Sequence, residues 1–307
     1  MPHGEATDVL ITLFRYFNTA AAYIPYPIGV SWGRWIAGNA VARTLFFARD
    51  IKSIKDIYEN RCGIRLDDRA VQSLLMAKTL KRWWLFKLPK FTDRELERYV
   101  RINGLDELRE LSRSGQGVLL ASAHYINAGC TGATLARLGF DFRSLRRSKP
   151  RRGPSYSQIR YLYVGDKNAV SSFKEISRIL RSGGMVHSLF DGLQGMGTIA
   201  RPFLGHNCRF RRALIELAWS EGAVIVPVSV RTELDGRILI DFHKALSDDI
   251  GNMPAKKAAE GVVERYAAFL EATIRAYPWC FDPTRLDLFL RRTSVDGPDN
   301  VPSAAAS

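Results

Sequence analysis

Gly117-Val118-Leu119-Leu120-Ala121-Ser122-Ala123-His124-Tyr125-Ile126-Asn127-Ala128-Gly129 is the stretch that decides how the chain is read. Val118 to Ala121 is a short apolar run, the pattern of a strand buried on both faces of a mostly parallel sheet. Small residues and a histidine follow it. Cys130 to Leu138 then carries Leu135 and Leu138 at helical spacing and stops at Gly139, so a helix is expected there. His124 thus falls where a strand hands the chain to a helix N-terminus, the place where open α/β sheets put their chemistry. The positive end of the helix dipole disfavours an imidazolium, which suits a general base. A histidine that only caps the helix would occupy the same position. The expected fold class is α/β: a mostly parallel sheet flanked by helices, with an N-terminal helical region that contacts a membrane.

Downstream, Asp141 to Ser148 reads as a second strand running into a basic stretch of Arg143, Arg146, Arg147, Lys149, Arg151 and Arg152. No aromatic residues interleave it, so it suits phosphate or an acidic protein better than stacked bases. Ile159 to Val164 is a strand, Ala169 to Arg181 a helix closed by Gly183-Gly184, and Met185 to Phe190 another apolar strand. That strand ends at Asp191 in a Gly-rich turn, a second place for chemistry at a strand's C-terminal end. His187, four residues earlier, reads as a buried structural residue. A helix is expected from Arg211 to Glu221, and a central strand over Ala223 to Val230. A hairpin signal at Glu233 to Arg237 precedes a strand over Ile238 to Phe242, and a last helix covers Ala255 to Ala276.

Upstream, the uncharged segment Tyr16 to Gly33 is short for a membrane span, and Pro25 and Pro27 are expected to interrupt it. An interfacial segment anchored by Trp32, Trp35 and flanking arginines fits it better, with a buried helical hairpin as the alternative. Phe47, Ile51, Ile54 and Ile57/Tyr58 form one face of an amphipathic helix. A second helix from about Asp68 ends in Lys81-Arg82-Trp83-Trp84-Leu85-Phe86-Lys87, where cations and indoles suit a headgroup-level anchor or, equally, packed core aromatics. Thr92 to Glu95 is a capping box for a helix through Arg101, and Gly104 to Ser114 is one more helix.

The composition fits a folded protein, with 46% hydrophobic and 25% charged residues. The formal net charge of +14 calls for an anionic partner such as a membrane surface or an acidic carrier protein. Nucleic acid rests on that charge alone, without a recognition motif, and is not expected. Cys62, Cys130, Cys208 and Cys280 are scattered and read as free thiols. His206 and Cys208 lack a second pair of ligands, so no metal and no cofactor are expected. Met1 to Asp8 is polar, and no cleavable signal peptide is read there. Residues 1–115 read as the N-terminal helical, membrane-associating region, 116–292 as the α/β core with its C-terminal helix, and 293–307 as a disordered tail.

The order of these features resembles the bacterial lipid A late acyltransferases of the lauroyl/myristoyl type, within a glycerolipid acyltransferase-like group. That family shows Ala-His-x-x-Asn-x-(Asp/Glu), and this chain has Ala123-His124-Tyr125-Ile126-Asn127-Ala128-Gly129. Further matches are Arg146, Leu180-Arg181-Ser182-Gly183, Asp191 with its following glycine, Pro202-Phe203-Leu204-Gly205, and Gly222 to Val228 with Arg231. The resemblance implies an acyltransferase that moves a fatty acyl group from an acyl-carrier-protein or acyl-CoA thioester to a polar lipid or amine acceptor. It places the protein at the cytoplasmic face of the bacterial inner membrane, peripheral or monotopic. His124 would be the base, Asn127 would orient the site, and Arg146 and Arg231 would hold phosphates.

Gly129 departs from the motif. The family's histidine works with a carboxylate at that position, as a serine-protease histidine works with its aspartate, whose loss costs on the order of 10⁴ in rate. The Pro-Glu-Gln-Trp segment of the family is also altered, to Tyr277-Pro278-Trp279-Cys280. Three explanations stand. Asp191 substitutes for the acid, the acceptor is an amine that needs less help, or the protein is catalytically inactive and binds membrane, acyl chains or an acyl carrier.

Overall fold

The computed structural model describes residues 23–146, 159–164, 169–191, 197–248 and 253–295. Residues 16–22, Arg147 to Arg152 and the glycine-rich turn after Asp191 lie outside them, as does most of the expected tail.

The centre is a seven-stranded sheet in the order β1-β9-β8-β2-β5-β3-β4. These strands are β1 (Val100–Asn103), β2 (Val118–Ser122), β3 (Phe142–Arg146), β4 (Arg160–Tyr163), β5 (Met185–Leu189), β8 (Val224–Thr232) and β9 (Ile238–Phe242). The five strands from β8 to β4 are parallel, whereas β9 returns antiparallel to β8 and carries β1 parallel to itself. All five residues of β2 are buried between β5 and β8, which is why this run is apolar on both faces. The expected α/β class with a mostly parallel sheet is therefore found.

Two residues read as helical, Val100 and Arg101, are strand instead. Val100 to Asn103 form β1 instead of continuing the capped helix, α4 (Asp93–Tyr99), whose capping box at Thr92 and Glu95 is present. Over the described part of the uncharged segment, Tyr23 to Pro25 are not helical, and α1 (Tyr26–Gly38) starts directly after Pro25 with Pro27 in its first turn, where a missing N–H costs nothing. Then come α2 (Ala40–Lys55), a π-helical turn over Asp56–Arg61, and α3 (Asp68–Lys87) capped by Asp67. Trp83 and Trp84 of α3 are buried, so the headgroup-anchor reading of those indoles gives way to core packing. Trp84 is tied inside by its Nε1–H donating to Tyr26 Oη at 3.1 Å. Among the described residues no helix is long and apolar enough to cross a membrane.

The remaining helices are α5 (Leu105–Arg113), α6 (Ala128–Arg137), α7 (Ala169–Arg181), α8 (Ala213–Ser220), α9 (Ala255–Ala276) and α10 (Pro283–Thr293). In α9, Ala258, Val262, Tyr266, Leu270 and Ile274 recur at helical spacing and form its buried stripe. A hairpin that the sequence reading lacked, β6 (Thr198–Phe203) with β7 (His206–Arg211), packs on α9 and α10. Its two-residue turn puts Leu204 at φ 50° and Gly205 at φ 79°, the left-handed pair that matches the twist of a tight hairpin. Thr293 is buried at the end of α10, and Val295 N–H donates to Asn207 O at 2.7 Å, so the chain is held against β7 to that point.

Candidate active site

The parallel strands of the sheet end on one edge, and His124, Asp191 and Arg146 follow or close three of them. The pairing of β2 with β5 continues one step past the strands, where Phe190 N–H donates to Ser122 O at 2.8 Å. That step brings Asp191 level with the Ala123–His124 peptide. The carboxylate takes the backbone N–H of His124 on both oxygens, at 3.1 and 3.0 Å. It also meets the ring at 2.9 Å between Nδ1 and Oδ1. The Asp191 side chain is 1% exposed and that of His124 is 29% exposed. A carboxylate only accepts, so Nδ1 carries the hydrogen, and in the neutral ring Nε2 is the nitrogen with the free lone pair. Nε2 has no partner among the described residues.

The histidine turn is clamped from the far end of the sequence. Ile126 N–H donates to Cys280 O at 2.8 Å, Asp282 N–H donates to His124 O at 3.1 Å, and Tyr125 faces Phe281 edge to face at 5.7 Å between ring centroids. Tyr58 Oη donates to Pro278 O at 2.6 Å and holds this clamp in turn. Asp282 accepts the N–H groups of Thr284 and Arg285 at the start of α10 and pairs with Lys81 at 3.0 Å. Cys280, Phe281 and Asp282, at the end of the altered segment and just past it, thus hold the backbone that follows the imidazole.

Asn127 is buried, and its Nδ2 donates to Thr232 Oγ1 at 2.6 Å. Its Oδ1 is buried without a partner among the described residues. Gly129 is exposed on the first turn of α6, and among the described residues no carboxylate takes its place there. Arg146 closes β3, its guanidinium 4.8 Å from the Tyr161 ring and with no carboxylate partner among the described residues. Arg231 differs from its expected role. Its guanidinium is held by Asp241, by Glu233 at 3.3 Å and over the Tyr277 ring at 4.5 Å, so its charge is already answered inside the protein.

His187 is buried in β5, with Ser144 Oγ 3.3 Å from Nδ1, and burial pushes its pKa down to about 4. It is therefore a neutral core residue. The four cysteines are free and buried, and burial pushes the Cys62, Cys130 and Cys280 thiols up to about 12 and that of Cys208 to about 11. None has the depressed pKa of a nucleophilic thiol. Among the described residues no cluster of three metal-ligating side chains occurs. His206 instead bonds Arg61 O through Nε2 at 2.9 Å. Three cavities of about 1060, 870 and 670 Å³ open elsewhere on the surface, and His124 lines none of them.

Sequence reasoning named both members of the His124–Asp191 pair but missed Thr232, Asp241 and the Phe281–Asp282 clamp. The altered Tyr277 to Cys280 segment was the one signal in the sequence that could have pointed to the clamp.

A structural comparison finds the crystal structure of the 1-acyl-sn-glycerophosphate (LPA) acyltransferase PlsC from Thermotoga maritima, at 15% identity and a TM-score of 0.37, covering 80% of this chain and 96% of that one. No curated protein matches the chain. The family described as bacterial lipid A biosynthesis acyltransferase matches residues 76–281, more than half of the chain, including the histidine turn, the Asp191 strand and the clamp as far as Phe281. By that match the chain belongs to the bacterial lipid A biosynthesis acyltransferase family.

Proposed function

We propose that the protein transfers a fatty acyl group from an acyl-carrier-protein or acyl-CoA thioester to a hydroxyl or amine of a polar lipid, at the cytoplasmic face of the bacterial inner membrane. The observation that carries this reading is the hydrogen bond from His124 Nδ1 to the buried Asp191 carboxylate. It supplies from a neighbouring strand the acid that Gly129 lacks.

In this reading Nε2 takes the proton of the acceptor O–H or N–H as that atom attacks the thioester carbonyl. The ring becomes an imidazolium beside a buried anion, where charge pairing is stronger than in water. Collapse of the tetrahedral adduct breaks the C–S bond, and the imidazolium returns its proton to the leaving thiolate. Arg146, with no carboxylate partner among the described residues, is a cation free to take a phosphate of donor or acceptor. Arg231 braces the strand end instead. The exposed Trp32 and Trp35 support a peripheral membrane seat, and the net charge of +14 suits an anionic bilayer and an acidic carrier alike.

The test is incubation of the purified protein with acyl-carrier-protein and acyl-CoA donors and a total lipid extract, with products read by mass spectrometry. An acylated lipid that vanishes with His124→Ala is expected. Intact thioester under every combination would return the protein to the inactive, acyl-binding alternative.

A further inference from the structure

The cavity of about 870 Å³ lies where α1, α3, β1 and the β8–β9 hairpin meet, on the same edge of the sheet as His124. Each element brings an arginine to it: Arg34, Arg69, Arg101 and Arg237. Two carboxylates also line it, and both are spent. Asp235 takes Arg237 Nε at 2.6 Å, and Glu233 pairs with Arg231. Arg34, Arg69 and Arg101 have no ion-pair partner among the described residues. Three exposed guanidiniums without an acid partner around one hollow make it electropositive and give it the geometry to hold an anion with several oxygens, which planar guanidinium suits.

The hollow is built rather than left over. Tyr26 Oη donates to Gly236 O, which pins the hairpin against α1. A Cβ on Gly236 would come within 2.6 Å of Val30, so the two elements touch backbone to side chain.

The same helix says where the anion comes from. Of the ten large hydrophobic residues exposed among the described residues, eight fall between Tyr23 and Phe46. Ile28, Trp32 and Trp35 follow one another at helical spacing and are 60%, 59% and 61% exposed, while Arg34, about 100° round the helix from Trp35, faces the hollow. Trp35 both belongs to this stripe and lines the hollow. Indoles and arginines at one level are the composition of a bilayer headgroup zone.

We propose that the hollow binds the phosphate of an anionic membrane lipid whose acyl chains lie along the exposed stripe of α1, at a site separate from the His124–Asp191 pair. This rests on the membrane seat proposed above and adds to it a lipid-selective contact.

The experiment compares flotation of the full-length protein with phosphatidylcholine vesicles and with vesicles that also contain phosphatidylglycerol. The variant Arg34→Gln/Arg69→Gln/Arg101→Gln is set against Arg94→Gln/Arg113→Gln/Arg285→Gln, which removes the same charge elsewhere. The first should lose on the order of 100-fold in affinity for the anionic vesicles, and the second far less. Binding to phosphatidylcholine alone should be equal in both. Equal losses in the two triple variants would overturn the proposal by reducing it to net charge. Inorganic phosphate binding that the first variant abolishes, without any vesicle preference, would overturn the lipid assignment. If the first variant fails to fold by circular dichroism, Arg69→Gln alone repeats the comparison. Absence of binding to any vesicle would sink the membrane seat itself. Vesicle selectivity retained by a protein without thioester turnover would sink only the acyl-transfer reading.

Discussion

Asp191 holds His124 at two points, the ring Nδ1 and the backbone N–H, so one carboxylate sets both the tautomer of the imidazole and the place of its turn. Asp191→Asn tests this. The amide keeps the shape but loses the charge, and its NH₂ can present the wrong hydrogen to Nδ1. Under the proposed mechanism kcat should fall on the order of 10⁴-fold with KM little changed. Steady-state thioester consumption measures it. Adding Asp191→Asn to His124→Ala should cost nothing further, because the two act as a unit.

Gly129→Asp asks whether the family's usual acid is redundant here. Gly129 is exposed on the first turn of α6, where a carboxylate meets the positive end of the helix dipole. Stability should rise by about 0.5 kcal/mol, read as an increase in Tm. With Asp191 in place, kcat should change by less than about threefold. In the Asp191→Asn background the new acid should restore at least about tenfold.

How far the sequence foretold this geometry follows from where each contact comes from. Strand β2, helix α7 and helix α9 were readable because apolar spacing and glycine stops are local signals. Asp191 was named from the rule that chemistry gathers at strand ends, without knowledge that β5 lies beside β2. The start of strand β1 was misread because Val100 and Arg101 directly continue a well-capped helix. The β6–β7 hairpin was missed because Pro202 and a turn led by Leu204 disguise it. Trp83 and Trp84 show the limit most plainly. Cations beside indoles look alike in a core and at a bilayer, and only the packing of α1 on α3 decides between them. The partners of Arg231 were equally hidden, since Asp241 reaches it across a hairpin.

Arg231→Gln separates a brace from a phosphate clamp. The side chains of Arg231 and Asp241 are 16% and 11% exposed, so removing the cation leaves a largely buried carboxylate without its charge partner. Unfolding free energy should drop by roughly 3 kcal/mol in urea titration. A clamp would instead raise KM and leave stability unchanged. Asp241→Asn should reproduce much of the loss, which a phosphate-binding role for Arg231 does not anticipate.

His187 gives the fold an acid limit. Its pKa is pushed down to about 4 by burial, against an ordinary value of 6.5, so between those values the unfolded chain binds a proton that the native protein refuses. Stability from this group is complete above pH 6.5 and is lost as pH falls toward 4, by about 3 kcal/mol in all. His187→Gln removes the titration, so its urea midpoint should be lower at pH 8 but flatter between pH 6.5 and 4.5. A parallel pair of curves would show that other groups set the acid limit.

Gly29→Val probes the seat of α1. The helix lies flush on α3 because Gly29 and Gly33 leave room for Trp83 and Leu80, and a Cβ on Gly29 would come within 2.5 Å of the Trp83 ring. Valine there forces the helix or the indole outward, at about 1–3 kcal/mol. Two readouts should move together. The urea midpoint falls, and selectivity for phosphatidylglycerol weakens as Arg34 leaves Arg69 and Arg101. Ala40→Val is the control, since Ala40 is exposed at the start of α2 and its substitution should move neither. If Gly29→Val lowers stability but leaves lipid selectivity whole, the arginine hollow does not depend on the packing of α1 and the coupling argued here fails.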